Sequence, residues 1–426
     1  MEERKPRPVT DSVARVVRDA FEPAYYVRDQ PALVRAGLDP VAHYLRIGSR
    51  EGRSPHPDFD TAFYREAYPD VVASGIDPFY HYLRFGAEEG RRPNDRGVPF
   101  RYEIDDGRRP VVSVLLPAFR PDYLDLCVAC ILAQSFTDFE LLVGDDSSGD
   151  AVQSILSKWQ DPRIRYRSNP IRQVVGANQH FLLKQAKGRY IRFAQDDDMM
   201  FPGSLERLVD AAKRERAAMT YHARYDIDEL GNVTEAKIPS PIGEEIVMDA
   251  PRFFKSVVGT SRNIIGEPGN VLLDREILQS IPHPFSLDER PMQFLGDVAL
   301  YANISDRGLP IVGLSYFGGA FRHHSGQFSN SASPQYSAGL FEWEYLLRWA
   351  SDRGHIGDDT YLPSIARIIH EMYVPSVDRF PELQRFITLA GRGENGKYLS
   401  PEYEEALDEA RAAVAARVDE SKRSRG

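Results

Sequence analysis

Three consecutive aspartates, Asp196, Asp197 and Asp198, stand in the stretch RFAQDDDMMFPGS (192–204), directly behind a short apolar run. Carboxylates this close repel one another. Either the segment is a solvated loop where water screens the repulsion, or a cation carrying a phosphate occupies the space between them. Two other clusters hold groups suited to phosphates and protons: Pro117-Ala118-Phe119-Arg120 behind VVSVLL, and Asp145-Asp146-Ser147-Ser148 behind FELLVG. Cys127 and Cys130, in LDLCVACILAQ, have the spacing of a redox dithiol. The pattern around them is that of an amphipathic helix following a strand, which predicts buried thiols instead.

The elements that must position these residues alternate. From Val111 the chain reads VVSVLLP, a helix through Cys127–Ala133, FELLVGD, a helix through Val152–Trp159, IRYRS, a helix through Ala177–Ala186, then RYIRFA. Such alternation calls for a parallel sheet flanked by helices. Ligands of such sheets gather beyond the carboxyl ends of the strands, where all three polar clusters fall. That convergence favours a metal and phosphate site over a solvated loop. A helix-loop-helix calcium loop is excluded, because the twelfth position counted from Asp196, Asp197 or Asp198 is Arg207, Leu208 or Val209 and not a glutamate. No G-x-x-x-x-G-K-[ST] occurs, so there is no P-loop. The glycine-rich triphosphate loop of a sugar nucleotidyltransferase is missing too, since PAFRPDY contains no glycine.

The 426 residues, 42% hydrophobic, suffice for two to three ordinary domains. The net charge of −10 argues against a nucleic-acid partner. No apolar run approaches the roughly 20 residues of a membrane span, and MEERKPRPVTDS lacks the apolar core of a secretion signal, so the expected location is the cytoplasm. The first hundred residues contain a duplication. Phe21 aligns with Phe59, an offset of 38 residues, and Tyr26/Tyr64, Asp39-Pro40/Asp77-Pro78, His43/His81 and Gly48/Gly86 follow without a gap. Each unit reads as a helix, a Gly-Asp-Pro turn and a second helix stopped by glycine. His43 and His81 are expected to pack, and the repeats to serve as a docking module for a protein partner.

Taken together, VVSVLLPAFRPDY, QSFTDFELLVGDDSSGD, NPIRQVVGANQHFLLKQAKGRYIRFAQDDDMMFPGSLERLV and GDVALYANISDRG resemble the family 2 glycosyltransferases over residues 111–330. The resemblance implies an α/β fold of the GT-A type: a Rossmann-like, mostly parallel sheet flanked by helices. The expected domains are a helical module at 1–97 with repeats 21–58 and 59–96, a GT-A domain at 98–335, and a C-terminal helical region at 336–426. It also implies transfer of a sugar from a nucleotide-diphosphate donor, with inversion, aided by Mn²⁺ or Mg²⁺. Pro117, Ala118, Phe119 and Arg120 then stand where the family's first loop passes beneath the nucleoside. Asp145 and Asp146 match its base- and ribose-binding carboxylates. Asn178 matches the Arg-Asn helix near the nucleotide, with Ala177 in the arginine's place and Arg172 as its substitute.

The family's D-x-D-D falls on Gln195-Asp196-Asp197-Asp198, which makes Asp197 the expected metal ligand and leaves Asp196 and Asp198 to the nucleotide sugar, the metal's surroundings or the acceptor. An inverting displacement needs a base for the acceptor hydroxyl. The family's Glu-Asp pair reads Gly296-Asp297 here, so Asp297 is the candidate base and Glu289 the runner-up. GGAFRHHSGQFSNS resembles the family's closing segment, with His324 on the metal or phosphate and Arg322 and Ser325 nearby. Successive side chains of a strand face opposite ways, so one of His323 and His324 must serve another purpose. The acceptor is expected to be a glycan or a lipid-linked glycan. The alanine-rich last segment is expected to pack, with peripheral association at the inner face of a membrane as the other option. Gln195, Gly296 and Ala177 are what a catalytically silent, nucleotide-sugar-binding scaffold would predict; the ordered acidic series favours the enzyme.

Overall fold

The structure is a computed structural model that describes residues 11–28, 33, 38–87, 89–96, 109–147, 149–168, 177–324, 327 and 333–423. Arg172 and Ser325 lie outside the described residues. The chain divides into two compact units: Met1–Arg108 with Gly144–Ser148 and Arg165–Asn178, and Arg109–Val143 with Gly149–Ile164 and Gln179–Gly426.

In the first unit, short helices span Asp11–Ala20, Pro23–Val27, Pro40–His43, Thr61–Ala67, Pro69–Ser74 and Pro78–His81; π-helical turns at Tyr44–Gly48 and Tyr82–Gly86 extend the third and the sixth. Asp39 and Asp77 cap the helices that begin at the following prolines, accepting backbone N–H groups that would otherwise lack partners. The hydroxyl of Tyr26 meets His43 Nδ1 at 2.8 Å, and 38 residues on Tyr64 meets His81 Nδ1 at 3.2 Å. Tyr26 and Tyr44 stand edge to face at 5.8 Å, as do Tyr64 and Tyr82 at 5.7 Å. Both histidines are packing groups held by a tyrosine hydroxyl. These rings, with Phe21, Phe59 and Phe79, form a core of the module's own.

The glycine ending each π-helical turn is there for space. A Cβ on Gly48 would lie 1.9 Å from the Tyr26 hydroxyl oxygen, and one on Gly86 2.1 Å from that of Tyr64. Gly48→Ala is therefore expected to destabilise the module by about 1–3 kcal/mol, since the buried tyrosine has to leave its rotamer. Calorimetry should register this as an earlier first transition; an unshifted one would mean that the hydroxyl does not pack there.

The second unit holds most of the strands β1 (Val112–Ala118), β2 (Phe139–Asp145), β3 (Ile164–Ser168), β4 (Tyr190–Phe193), β5 (Met199–Met200), β6 (Met219–Ile227), β7 (Val233–Lys237), β8 (Glu245–Met248), β9 (Val271–Asp274) and β12 (Ile311–Arg322); the end of β2 and β3 from Arg165 on are counted in the first unit. Within the second unit the sheet order is β2-β1-β4-β9-β6-β12-β5, with β7 beside β6 and β8 beside β12. β1 and β4 pair parallel, as do β6 and β12, and β9 lies antiparallel between β4 and β6. The small hairpin of β10 (Ser286–Leu287) and β11 (Arg290–Pro291) stands apart from this sheet.

The helices Tyr336–Asp352 and Pro401–Arg423 share one hydrophobic core with the sheet, running from Leu115 and Ile191 through Tyr301 to Trp349 and Leu407. The alanine-rich last helix buries Tyr403, Ala406, Leu407, Ala410 and Val414. That is one helical stripe, so its apolar face is already covered. Burial of Leu407 and Val414 contributes about 1.5–3 kcal/mol each. Both cysteines are free thiols: Cys127 is buried as expected, whereas Cys130, on the same helix Leu124–Leu132, is only half-buried. Among the described residues no helix is long and apolar enough to cross a membrane.

Candidate active site

The parallel register of β1 and β4, Val112 opposite Tyr190 through Leu115 opposite Phe193, delivers the loop after β1 to the loop after β4. Asp196 joins the two loops. Its Oδ2 accepts the backbone N–H groups of Phe119 at 2.7 Å and Arg120 at 2.8 Å. Burial pushes its carboxyl upward and those two N–H groups pull it back. Asp196, expected to face the nucleotide sugar or assist the metal, holds the first loop in shape through Oδ2. Ala118 is buried and Pro117 half-buried, while Phe119 is 39% exposed.

Asp197 and His324 meet although they are 127 residues apart, with His324 Nε2 2.8 Å from Asp197 Oδ2. The strand pairing explains the encounter. β12 lies antiparallel to β5, with Gly319 opposite Met200 and Ala320 opposite Met199, so the end of β12 passes back over the triplet. Arg120 reaches the same place, its Nη1 3.2 Å from His324 Nε2 and its Nη2 3.7 Å from Asp197 Oδ2. His323, just past the end of β12 like His324, takes a different partner and meets Asp226 Oδ2 at 3.0 Å.

Arg322 is buried, and its guanidinium is taken up within the protein. Its Nε donates to the Asp197 carbonyl at 3.0 Å, its Nη1 donates to the carbonyls of Asp228 and Glu229 at 3.1 and 3.2 Å, and it stacks on Tyr123 at 4.3 Å. It thus clamps the triplet loop rather than presenting a free charge to a nucleotide. Asp198 accepts the backbone N–H of Arg322 at 3.0 Å. Burial first, and then the Asp197 charge, hold its carboxyl well above the usual range.

Among the described residues no group of three or more His, Cys, Asp and Glu side chains forms a cage for a metal. A fit remains through Asp197 and His324, because ions such as Mg²⁺ are commonly held by one or two protein groups, with water and substrate phosphates completing the shell. The donor set of one carboxylate and one imidazole, with the Arg120 cation beside it, suits a diphosphate that brings its own oxygens.

Asp297 occupies the first turn of helix Gly296–Asp306 and is partly buried. Its Oδ2 accepts from Asn263 Nδ2 at 2.8 Å and its Oδ1 from the N–H of Val298, also at 2.8 Å. These bonds, and the helix N-terminus itself, favour the carboxylate. Burial opposes them and wins, assisted by the Glu267 charge, so the carboxyl is pushed up to about 7. The same Glu267 charge raises Asp198, so Asp297 and the triplet share one electrostatic neighbourhood. Glu267 is held by Arg224 at 2.5 Å, and Arg224 also bonds Asp226 at 3.2 Å. Asp198, Arg224, Glu267 and Phe321 line a small cavity. Glu289, the runner-up base, lies exposed at the tip of the β10–β11 turn with φ of 69°, a residue of the turn itself.

Asn263, Arg224 and Glu267 had no signal in the sequence: Arg224 is one residue of strand β6, and Asn263 and Glu267 lie in the long stretch between β6 and β9 that shows no motif spacing. Asp145, Asp146 and Asn178 belong to the first unit. Asp145 is buried and accepts from Tyr166 Oη at 2.7 Å and from the Ser147 N–H at 2.8 Å. Asp146 is half-buried. Asn178 is buried and donates to the Gly144 carbonyl at 2.7 Å, so it braces the end of β2.

Residues 113–281 match the family described as Glycosyl transferase family 2. The chain is 36% identical over 107 residues to the GalNAc(5)-diNAcBac-PP-undecaprenol beta-1,3-glucosyltransferase of Campylobacter jejuni, covering 24% of this chain and 35% of that one. It is 26% identical over 220 residues to the UDP-Glc:alpha-D-GlcNAc-diphosphoundecaprenol beta-1,3-glucosyltransferase WfaP of Escherichia coli, covering 51% of this chain and 80% of that one. The chain therefore spans about a third of the first relative and four fifths of the second. The solved structure of S. aureus TarS 1-349 superposes with a TM-score of 0.48 at 13% identity, over 74% of this chain and 92% of that one; the assignment rests on the sequence family and not on this likeness. The ordered motifs stand on one α/β sheet, and the match to Glycosyl transferase family 2, over residues 113–281, spans all but the last of them.

Proposed function

We propose that the protein is an inverting, metal-dependent glycosyltransferase that moves a sugar from a UDP-sugar to a hydroxyl of a lipid-linked or other glycan during surface polysaccharide assembly. The observation that carries this reading is the contact between Asp197 and His324 beside Arg120, at the end of the strands where the family places its diphosphate. Asp197 and His324 would hold Mn²⁺ or Mg²⁺, whose charge would offset that of the departing diphosphate. Arg120 adds a fixed cation to the same oxygens. Phe119 offers its exposed ring to the nucleobase. Asp297 takes the proton from the acceptor hydroxyl, and its raised pKa suits a base working near neutral pH. The undecaprenol-linked substrates in the relatives' names support a lipid-linked acceptor, and the UDP-Glc in one of them supports the choice of donor.

Thermal stabilisation by nucleotide sugars tests the donor. UDP-glucose with Mn²⁺ is expected to raise the melting temperature by several degrees and UDP-glucose with EDTA by much less, since ligands that bind only the folded state stabilise it by mass action. Release of UDP in the same mixture distinguishes the enzyme from a silent scaffold, which would be stabilised without turnover. Equal stabilisation with and without metal would overturn the metal assignment.

A further inference from the structure

The C-terminal helices do more than close the core. Glu342, on helix Tyr336–Asp352, is fully buried, and its carboxylate accepts three consecutive backbone N–H groups: Gln293 at 2.5 Å, Phe294 at 3.0 Å and Leu295 at 2.8 Å. Leu295 is the residue that caps helix Gly296–Asp306, and its own side chain makes no capping bond. Asp297 follows two residues later. A buried carboxylate is costly unless hydrogen bonds compensate it, and here all three donors belong to the backbone that leads into the base. Gln293 also donates to the Arg411 carbonyl at 3.2 Å, and Arg411 stands 3.8 Å from Glu342 as the nearest cation. The segment 293–295 is thus held from outside its own element, by a helix that the family match at 113–281 does not reach.

We infer that Glu342 is a positioning residue for Asp297: by binding three N–H groups at the helix entry, it sets where the base's carboxylate stands relative to the acceptor hydroxyl. This rests on Asp297 being the base. A shift of about 1 Å in a catalytic group can cost on the order of 10²-fold in rate while substrate binding stays intact. Glutamine at 342 would keep the shape, but its NH₂ group would face N–H donors, leaving at least one of them unpaired.

The test is a double-mutant cycle with Glu342→Gln and Asp297→Asn in the full chain, reading UDP release from UDP-glucose with Mn²⁺. Glu342→Gln is expected to lower kcat about 10- to 100-fold, with the KM for UDP-glucose within about twofold of wild type. In the Asp297→Asn background the same change is expected to cost almost nothing further, because a positioning residue has no effect once the group it positions is gone. Where Glu342→Gln gives no folded protein, Glu342→Asp, which keeps the charge but withdraws it by one methylene, takes its place in the cycle. A full additional loss in the Asp297→Asn background, or a KM that rises in step with the fall in kcat, would overturn the proposal while leaving the base in place. Asp297→Asn at wild-type rate would overturn the base assignment itself and the proposal with it.

Discussion

Asp197→Ala is expected to reduce Mn²⁺-dependent UDP release from UDP-glucose by on the order of 10²–10³-fold, and to remove the part of the thermal stabilisation by UDP-glucose that depends on metal. The substitution should act on chemistry rather than folding. The Asp197 backbone carbonyl still accepts Arg322 Nε, so the clamp on the loop survives, and Asp196 still binds Phe119 and Arg120. The fold loses the His324 hydrogen bond, about 1 kcal/mol. His324→Ala is expected to weaken the apparent affinity for Mn²⁺ more than kcat at saturating metal. Turnover undiminished in Asp197→Ala would end the metal reading, whatever else the protein does.

Asp297→Asn should lower kcat by about 10²–10⁴-fold, the usual contribution of a general base. The pH profile carries a second, independent signature. The carboxyl is pushed up to about 7, and only its deprotonated form can accept the hydroxyl proton. In the wild type kcat/KM should therefore rise tenfold per unit up to about pH 7 and level off above it; in Asp297→Asn that limb should vanish from the residual rate. The effect on stability has the opposite direction. Because the folded-state value lies above the ordinary carboxyl value of 3.8, the native protein retains a proton that the unfolded chain has lost, so this group's contribution declines as pH rises from about 4 to about 7. Asp297→Asn should flatten that decline. A limb that persists unchanged in the variant would assign the proton transfer to another group.

Much of the architecture could be read from local pattern. The strands VSVLLPA and FELLVGD are short apolar runs bounded by turn residues, and hydrophobic periodicity identifies such runs without knowledge of their neighbours. The packing role of His43 and His81 was legible because the duplication presents the same surroundings twice. Long-range use of the polar groups was less legible. Asp196 and Arg322 have the residue types of ligand-binding groups, yet both are engaged by backbone groups of neighbouring loops. A carboxylate or guanidinium satisfies its hydrogen bonds with whatever donor or acceptor the fold brings near, and a residue's type does not say which.

By itself, the sequence determined the element types, the order of the acidic clusters and their place at the strand ends, because these depend on periods of two and 3.6 residues and on the direction of each strand. Only the tertiary structure decided which charges meet. The pairing of β12 with β5 sets His324 on Asp197, the stretch between β6 and β9 brings Glu267 to bear on Asp297, and Glu342 reaches the helix entry from far along the chain. The physical reason is range: hydrogen bonds and Coulomb terms act over a few ångströms, and for residues a hundred positions apart that proximity exists only once the sheet and the shared core have closed.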